Sequence, residues 1–599
     1  MTKSELRKKY LDSAIKYREL RDKAGKNVLL VSLSRLIVFL GGVFLIWAGF
    51  IKGALTGIVT ALIITGIFLW LLKLFSRLSN KHDFLDNLVT INENEADALV
   101  GKSGAFDPGK EFVDARHDFS FDVDLFGESS LFQYLNRTVT GYGRKILAGW
   151  LSDPCSVSGQ MGKRQDAIRE LAGKDSWRHE FMASGMISPI EEEDIKGIIQ
   201  WLDEKETINI SPLKRTVNIL LPVLSLVFLI LWISGITSYI IFVELVLLNL
   251  IYVASGLKKT NRIHKVLSKK YTFLSSMNSL LLSFEKESFT AEILKDIRSN
   301  ISGENVSAAV SVKKLGRLIE SFDSRNNMMV GFALNGLFLW DYQCISRLEK
   351  WKSANRQLFP VWLRMLGEID AYNSLANFAF NNQLYSYPSV ATGPDIINAH
   401  DLGHPLIDEA KRVCNDFSLG EAGNICIITG ANMAGKSTFL RTVAVNLILG
   451  MSGAPVCATY MAFRPSGIFT SMRTVDSLSD NESYFYAEIR RLSKLKSRVE
   501  CGEKLFFILD EILKGTNSED KSTGSKLFLA RLLEKGGTGL IATHDTSLAE
   551  LEMNHEGVVN KCFEIEIEGE NIHFDYKLRE GITKRMNAVF LMKQMGILD

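Results

Sequence analysis

Residues 424–438 read NICIITGANMAGKST, and this stretch decides the fold of the C-terminal part of the chain. A short apolar run that is typical of a buried strand leads into a glycine-bounded loop, and a helix-forming segment follows. Residues 430–437 match the pattern G-x-x-x-x-G-K-S in full, and such loops cradle phosphates with backbone N–H groups at a helix N-terminus. The stretch therefore predicts a nucleotide site on an α/β sheet.

The residues of this loop have predicted roles in holding ATP. We expect the ammonium group of Lys436 to reach the β and γ phosphates and the hydroxyl of Ser437 to ligate Mg²⁺. The candidate ATP-binding residues are Gly430, Asn432, Met433, Ala434, Gly435, Lys436, Ser437 and Thr438. ATP and Mg²⁺ are the cofactors that this pattern predicts.

Two further apolar runs end in polar residues that suit hydrolysis of a nucleotide. Residues 505–511 read LFFILDE, and we expect Asp510 to hold Mg²⁺ and Glu511 to orient or deprotonate the attacking water. Residues 539–543 lead into His544, which is either a contact to the γ-phosphate or an ordinary loop histidine. Glu511 and His544 are the candidate catalytic residues. Since three strands end in polar groups, the pattern predicts an ATPase with its site at the carboxyl edge of a parallel sheet.

Two blocks of the sequence are apolar enough to cross a membrane. Residues 53–72 carry no charge and have about the length that spans a bilayer, and residues 28–51 are nearly as apolar. A second block over residues 216–257 carries only Glu244, and a break at residues 234–238 divides it into two helices. Basic residues flank both blocks, which predicts four spans whose long flanks stay in the cytoplasm. These residues are Arg7, Lys8, Lys9, Arg18, Arg21, Lys26, Lys73, Arg77, Lys81, Lys214, Arg215, Lys258, Lys259 and Arg262.

The alternative is that both blocks form buried helices of a large helical domain. Arg35 interrupts the first block and Glu244 the second, and a charge inside a span is costly. Arg35 lies near one end, where its side chain can extend to the headgroups, whereas Glu244 is harder to place. Length favours spans. We therefore expect a multi-pass protein of an inner or plasma membrane, with a cytoplasmic ATPase domain and with lipid as a partner.

The composition excludes some classes of protein and site. Lys and Arg number 70 and Asp and Glu 68, so the formal net charge is +2 and bulk charge does not indicate a nucleic-acid binder. The seven cysteines are scattered, and no two form a C-x-x-C pair. This spacing argues against a disulfide framework and against a structural zinc site.

The loop at residues 429–438, TGANMAGKST, closely resembles that of the MutS family of DNA mismatch repair ATPases, in which the string T-G-x-N-M-x-G-K-S-T is distinctive. Other segments are similar to further motifs of that family. They are the H-P element at residues 403–406, the S-T-F-x-x-E-M segment at residues 482–489, the D-E-x-x-x-G-T-S segment at residues 510–518, the core-like segments at residues 125–140 and 164–168, and the lever-like segment at residues 368–376. The resemblance does not extend to the two apolar blocks.

This resemblance implies a homodimer in which each ATP site is completed by the partner subunit. Ser483 would then approach the γ-phosphate bound to the other subunit, although spacing alone favours an ordinary helix N-cap. The resemblance also implies DNA as a partner. Lys313, Lys314 and Arg317 form a local basic face for DNA, and its simpler interpretation is a solvated helix surface. Apolar blocks stand where MutS proper carries its mismatch-reading N-terminal domains, so we expect a membrane-anchored member that lacks those domains.

We therefore expect an α/β P-loop ATPase domain of the ABC or MutS type, C-terminal to an all-α lever domain, with two transmembrane helical hairpins. The predicted function is ATP hydrolysis by a membrane-anchored dimer, coupled to binding of mismatched or branched DNA. The alternative is an ATP-driven membrane scaffold or transporter-like protein without a DNA role. The predicted order is a basic cytosolic helix (1–27), the first hairpin (28–77), a MutS-core-like helical segment (105–205), the second hairpin (216–257), lever helices (260–390) and the ATPase domain (395–599).

Overall fold

A computed structural model describes residues 1–154, 158–190, 192–204, 212–303, 306–420, 424–473, 484–568 and 571–584. The chain forms an N-terminal helical hairpin, an all-α body that carries a second hairpin, and a C-terminal α/β domain. An all-α body that precedes an α/β domain confirms this part of the predicted fold class.

Within the described ranges, the hairpins and the body are built from helices and one pair of two-residue strands. The helices are α1 (Lys3–Lys52), α2 (Ala54–Ala98), α3 (Leu131–Leu135), α4 (Gly141–Ser152), α5 (Met161–Ala172), α6 (Asp175–Met186), α7 (Glu192–Asp203), α8 (Pro212–Ile233), α9 (Tyr239–Ser255), α10 (Leu257–Leu267), α11 (Tyr271–Lys286), α12 (Glu292–Ile301), α13 (Ala308–Asp323), α14 (Met328–Phe338), α15 (Trp340–Asn355) and α16 (Leu358–Asn381). The strands are β1 (Ser302–Gly303) and β2 (Val306–Ser307), which pair antiparallel.

The first hairpin is formed by α1 and α2, which reverse at a single residue, Gly53. Gly53 has a φ of +146°, in the region that favours glycine. A capping box starts α1, because the Thr2 hydroxyl accepts from the N–H of Glu5 and the Glu5 carboxylate accepts from the N–H of Thr2. The predicted basic helix over residues 1–27 belongs to this longer element, α1. These residues are the first half of one continuous helix that also contains the first apolar stretch, since no proline or glycine turn interrupts it.

The base of this hairpin is packed into the body by a buried polar cluster. Glu95 of α2 forms an ion pair with Arg137, and both side chains are at most 3% exposed. Asn381, the last residue of α16, donates from Nδ2 to Glu95 at 2.8 Å and accepts from the Tyr10 hydroxyl at 2.7 Å. Because a buried charge is tolerated only with partners of this kind, the hairpin meets the body in a defined orientation.

Helix α16 runs through the centre of the body and reaches the boundary with the α/β domain. Asp370 of α16 is fully buried and accepts hydrogen bonds from the N–H groups of Val139 and Thr140 and from the Thr140 hydroxyl. Thr140 is in turn the N-cap of α4. Burial raises the pKa of Asp370 to about 7, against the effect of these hydrogen bonds.

The second hairpin consists of α8 and α9, and it projects from the body between α7 and α10. Among the described residues, α1, α2 and α8 are each long and apolar enough to cross a membrane, and α9 with α10 makes a fourth candidate that is bent by 67°. A further apolar helix, α14, packs on this hairpin. The sequence predicts lever helices over residues 260–390, and it does not predict an apolar helix in that range.

The α/β domain contains two main sheets. The larger sheet has the strand order β14-β11-β6-β10-β9-β8, parallel throughout except for β14, and the smaller has the order β3-β7-β4-β5. The strands are β3 (Ser389–Val390), β4 (Ile397–Leu402), β5 (Asn415–Leu419), β6 (Ile425–Gly430), β7 (Tyr460–Phe463), β8 (Gly467–Ser471), β9 (Leu505–Asp510), β10 (Thr538–Thr543), β11 (Val558–Phe563), β12 (Glu566–Glu568), β13 (Asn571–His573) and β14 (Leu578–Glu580). The helices are α17 (Lys436–Met451), α18 (Tyr484–Glu500), α19 (Ser518–Glu534) and α20 (Leu551–Asn554).

Both faces of the larger sheet are covered, which explains why its strands are apolar runs. Cys426 and Ile428 of β6 enter the core that α17 covers, whereas Ile425 and Ile427 enter a second core with α18 and α19. A parallel sheet that is buried on both faces exposes only its edges and strand ends. The carboxyl ends of β6, β10 and β9 are therefore where polar side chains can meet.

Candidate nucleotide site

The phosphate-binding loop joins β6 to α17 at the carboxyl edge of the larger sheet. Gly435 has a φ of +106° and is followed by Lys436, the first residue of α17. A Cβ at Gly430 would lie 2.9 Å from the carbonyl oxygen of Phe563, so only glycine lets β6 pass this close to β11. The backbone geometry therefore requires both glycines of the sequence pattern.

The ammonium group of Lys436 is held over the loop. Its Nζ donates to the carbonyl oxygens of Gly430 at 2.8 Å and of Ala431 at 2.9 Å, and it lies 3.4 Å from both ring nitrogens of His544. Burial lowers the pKa of Lys436 to about 8, and the nearby Glu511 carboxylate opposes this shift. An incoming triphosphate would favour the protonated form of this group.

Ser437 and Asp510 meet where α17 begins and β9 ends. The Ser437 hydroxyl donates to Oδ2 of Asp510. A hydroxyl and a carboxylate oxygen are ligands of the kind that Mg²⁺ takes, and Mg²⁺ is commonly held by one or two protein groups together with substrate phosphates and water. This pair of donors therefore fits a magnesium ion that is bound together with a nucleotide.

Glu511 and His544 form a hydrogen-bonded pair next to these groups. Nε2 of His544 lies 2.6 Å from Oε1 of Glu511. Strand β10 lies between β6 and β9 in the sheet, and this order places His544 between Lys436 and Glu511. The hydrogen bond from His544 is the largest of the effects that lower the pKa of Glu511 to about 2, so this carboxylate is ionised at neutral pH. Glu511 also has a φ of +53°, a strained conformation of the kind found at functional sites.

The loop opens into a cavity of about 390 Å³. Its phosphate side is lined by Asn432, Met433, Gly435, Lys436, Ser437, Thr438 and Glu511. Its other wall consists of Leu402, His404, Ile407, Lys411, Val413, Asn415, Phe439, Phe563 and Tyr576. A mainly apolar and aromatic wall with a few polar groups suits the base and ribose of a nucleotide. The sequence motifs predict no role for this wall, because apart from Phe439 of α17 it comes from β4, β5, β11 and the β4–β5 and β13–β14 loops.

Tyr576 and His404 are two ring-bearing residues of this wall. A Cβ at Gly435 would lie 3.1 Å from Cδ1 of Tyr576, so the ring lies directly over the loop. Asn415 fixes this segment, because it donates to the carbonyl of Tyr576 at 3.0 Å and accepts from the N–H of Leu578 at 2.8 Å. Burial lowers the pKa of His404 to about 4, so its imidazole is neutral at pH 7.

Glu488 of α18 links that helix to the segment that follows Glu511. The Glu488 side chain is buried, and it accepts from the N–H of Leu513 at 2.6 Å and of Lys514 at 3.1 Å. Burial raises the pKa of Glu488. Leu513 has a φ of +60°, so this carboxylate holds an unusual backbone turn. Glu488 lies in the segment 482–489 of the family resemblance, which predicts no role for it.

A second set of contacts ties the α/β domain to the body. The buried carboxylate of Asp122 accepts from the Thr470 hydroxyl and from the N–H groups of Met472 and Arg473. Arg473 also donates to Asp124 through both terminal nitrogens. These bonds hold the end of β8 against the body.

The structure brings nearly all of the predicted site residues together. Lys436, Ser437, Asp510, Glu511 and His544 meet at three adjacent strand ends, and the other candidate ATP-binding residues form the loop beside them. Ser483 lies outside the described residues, so its predicted contact with the other subunit stays a prediction.

Two protein-family models match this chain. Residues 117–379 match the model of MutS domain III, and residues 426–597 match the model of MutS domain V. These ranges correspond to the body with the second hairpin and to the larger part of the α/β domain.

Curated relatives are similar over a smaller range. The DNA mismatch repair protein MutS of Thermotoga sp. (strain RQ2) is 30% identical over 243 residues, which are 40% of this chain and 30% of that protein. The protein of the same name from Aquifex pyrophilus is 34% identical over 238 residues, which are 39% of this chain and 27% of that protein. Endonuclease MutS2 of Thermus thermophilus is 28% identical over 239 residues, which are 40% of this chain and 31% of that protein. The matched part thus spans less than a third of the length of each of these three relatives.

Proposed function

From the premise that the chain carries MutS domains III and V and belongs to the MutS family, we propose that it is a membrane-anchored ATPase. In this proposal it works as a dimer and couples ATP hydrolysis to DNA binding. Its C-terminal domain is an ATPase domain of the MutS type. One observation carries the proposal: the nucleotide site shares a chain with two pairs of apolar helices, many of whose side chains are exposed.

Each residue of the nucleotide site has a part in the proposed hydrolysis. Lys436 and the loop N–H groups would bind the phosphates, and Ser437 and Asp510 would hold Mg²⁺, which would supply positive charge to neutralise the phosphates. A carboxylate with a pKa of about 2 accepts a proton poorly. We therefore assign Glu511 to orienting the attacking water, with His544 fixing the direction of the carboxylate.

The membrane part of the proposal rests on the two hairpins. Side chains along both are apolar and exposed, among them Leu36, Phe44, Trp47, Leu62 and Trp70 of the first. An exposed apolar surface of this extent marks contact with lipid or protein. We place these helices in an inner or plasma membrane, with the α/β domain in the cytoplasm.

The position of Arg35 fits this placement. Arg35 precedes the turn at Gly53 by about 27 Å of helix, so it lies close to one boundary of a bilayer about 30 Å thick. Its guanidinium stacks over the Phe75 ring at 4.5 Å. The charge can thus stay at the headgroups while its stem packs on the helix pair.

The cluster of Glu95, Arg137 and Asn381 offers a route between ATPase and membrane. Asn381 ends α16, and the first strand of the α/β domain begins at Ser389. We propose that a change in the α/β domain is passed through α16 to this cluster and so to the base of the first hairpin. This observation favours the second candidate, a nucleotide-driven membrane scaffold that needs no DNA.

DNA is the proposed partner on the strength of the relatives named above and of one local surface. Lys313, Lys314 and Arg317 are exposed on the same helix, α13, and neutralising phosphates with such residues is what makes nucleic-acid binding salt-dependent. The net charge of +2 adds no further support.

The test is the ATPase rate of the detergent-purified full chain with homoduplex, mismatched and branched DNA. Stimulation that is lost when Lys313, Lys314 and Arg317 are all changed to Glu supports DNA as the partner. Basal hydrolysis that no DNA alters supports the scaffold instead. The Glu511→Gln variant controls for contaminating ATPases in both arms.

The dimer is tested by mixing two inactive variants. Lys436→Ala disables its own site, and Ser483→Ala disables the site of the other subunit if that site is completed in trans. A mixed dimer then keeps one working site, so we expect the mixture to regain about a quarter of wild-type activity. No regain, with both variants folded, would contradict sites shared between subunits.

A further inference from the structure

Residues 326–340 read NNMMVGFALNGLFLW and carry no charge between Arg325 and Asp341. Residues Met328–Phe338 of this stretch form α14. Met328 is 75% exposed, Met329 84% and Phe332 60%, so the first half of the helix presents large apolar side chains outward. A contiguous patch of this kind marks an interaction surface.

The second half of α14 is packed onto the second hairpin. Asn249 of α9 is completely buried, and its Nδ2 donates to Oγ of Ser225 on α8 at 2.9 Å and to the carbonyl of Gly336 on α14 at 2.6 Å. A Cβ at Gly336 would lie 2.9 Å from the side chain of Val246, so glycine permits this close contact. Small residues and interhelical polar side chains of this kind join helices inside membranes. The three helices therefore form one apolar unit.

Two contacts along α9 set the direction of α14. Tyr342, just after α14, lies against Gly256 and packs beside Tyr252 with a distance of 5.1 Å between ring centroids. Gly336 of α14 contacts Val246, which lies nearer the start of α9. In both α9 and α14, the residues with lower numbers therefore lie farther from Lys258, Lys259 and Arg262, which follow α9. Tyrosines are typical of the boundary between hydrocarbon and water. Met328 and Met329 precede Gly336 on α14, so they lie farther from the tyrosine boundary, on its hydrocarbon side.

The chain enters and leaves this segment on the same side. Arg325 pairs with Asp341 at 3.1 Å, and the indole N–H of Trp340 donates to the carbonyl of Ser321 at 2.9 Å. Gly331 lies against the backbone of Arg325, so the incoming chain runs beside the helix. Eleven helical residues span about 16 Å, which is half of a bilayer core of about 30 Å.

We propose that α14 is a re-entrant membrane segment whose exposed Met328, Met329 and Phe332 contact the hydrocarbon of the bilayer. The inference rests on the proposed membrane anchoring and extends it, because α14 is inserted between the body helices α13 and α15. Lipid is favoured over a protein partner because α14 continues the apolar surface of the second hairpin and stops at the same aromatic boundary. The body is then held against the membrane at a third point besides the two hairpins.

The experiment compares three cysteine variants of the full chain in vesicles of phosphatidylcholine and phosphatidylglycerol. Met329→Cys tests α14, Ile251→Cys on α9 reports the hairpin, and Val310→Cys on the body is the aqueous control. Ile251 is 71% and Val310 65% exposed, so intrinsic access is similar. Each is treated with a membrane-impermeant maleimide, and labelling is followed for each peptide by mass spectrometry. A second sample, in which Cys155, Cys414 and Cys501 are changed to Ser, carries an environment-sensitive dye at the introduced cysteine, with brominated lipid as the quencher.

We expect Met329→Cys to react about tenfold more slowly than Val310→Cys, as Ile251→Cys does, because the bilayer core excludes a charged reagent. We also expect brominated lipid to quench the dye at position 329. Rapid labelling at 329 with Ile251→Cys still protected would overturn the re-entrant segment and leave the anchoring intact. Protection without quenching would overturn it in favour of a protein partner on this face. Rapid labelling at both positions would overturn the anchoring itself.

Discussion

The carboxylate of Glu511 lies 2.6 Å from Nε2 of His544, at the ends of two adjacent parallel strands. The pair sits beside Lys436, and the hydrogen bond keeps Glu511 ionised with a pKa of about 2. The site therefore holds a fixed negative charge where a water molecule must be directed at a phosphate.

Glu511→Gln removes this charge and keeps the size of the side chain. We expect the turnover rate to fall by about 100-fold or more, because water is no longer directed by a carboxylate. ATP affinity should change little, since Lys436 and the loop are intact. Steady-state hydrolysis and equilibrium binding of a fluorescent ATP analogue measure the two effects. Glu519→Gln, at an exposed position of α19, is the matched control, and normal turnover in Glu511→Gln would refute the assignment.

Lys436 makes ATP binding sensitive to pH on the alkaline side. Its pKa is about 8 and phosphates stabilise its charged form, so protonation and ATP binding favour each other. We expect the Kd for ATP to rise as the pH increases above 8. Titration calorimetry at several pH values measures this slope. Lys436→Arg stays charged throughout and should bind with a flatter pH dependence; equal slopes in both proteins would contradict the lysine as the titrating group.

Glu488 positions the turn after Glu511 through two backbone N–H groups. Glu488→Ala leaves both N–H groups without this acceptor, so we expect the Glu511 carboxylate to shift and single-turnover hydrolysis to slow by about 100-fold. Glu488→Gln keeps one acceptor oxygen and should fall between the wild type and Ala. ATP affinity, measured in parallel, separates this effect from a loss of folding. A rate in Glu488→Ala equal to that of the wild type would show that the turn holds itself.

Asp370 lets the stability of the body depend on pH. Its pKa is raised from 3.8 to about 7, so the folded state keeps a proton that the unfolded chain has already lost. The contribution of Asp370 to the free energy of unfolding is therefore fully present below pH 3.8, and it is lost as the pH rises to about 7. We expect the melting temperature of the wild type to fall over this range relative to that of Asp370→Asn. Parallel curves for the two proteins would exclude Asp370 as the responsible group.

Local stretches of sequence were enough to predict the nucleotide site. The loop, its lysine and its serine lie within residues 430–437. The strand that ends in Asp510 and is followed by Glu511 can also be recognised from the sequence pattern. Their assembly at one sheet edge follows from the geometry of parallel strands. The two apolar blocks can be recognised in the same way, because their length and their low content of charged residues are properties of a contiguous stretch of sequence.

Only the tertiary structure decided what distant segments do together. Asp122 and Thr470 are far apart in the chain and meet because the body packs on β8, and Glu488 reaches the Glu511 turn because α18 lies beside it. In the same way, the wall with His404 and Tyr576 is built from separate loops, and α14 is apolar but too short to be read as a span. The functional groups of a motif lie close together along the chain, so the sequence shows them directly. Contacts across the fold depend on how whole elements pack, and no spacing rule along the sequence encodes that.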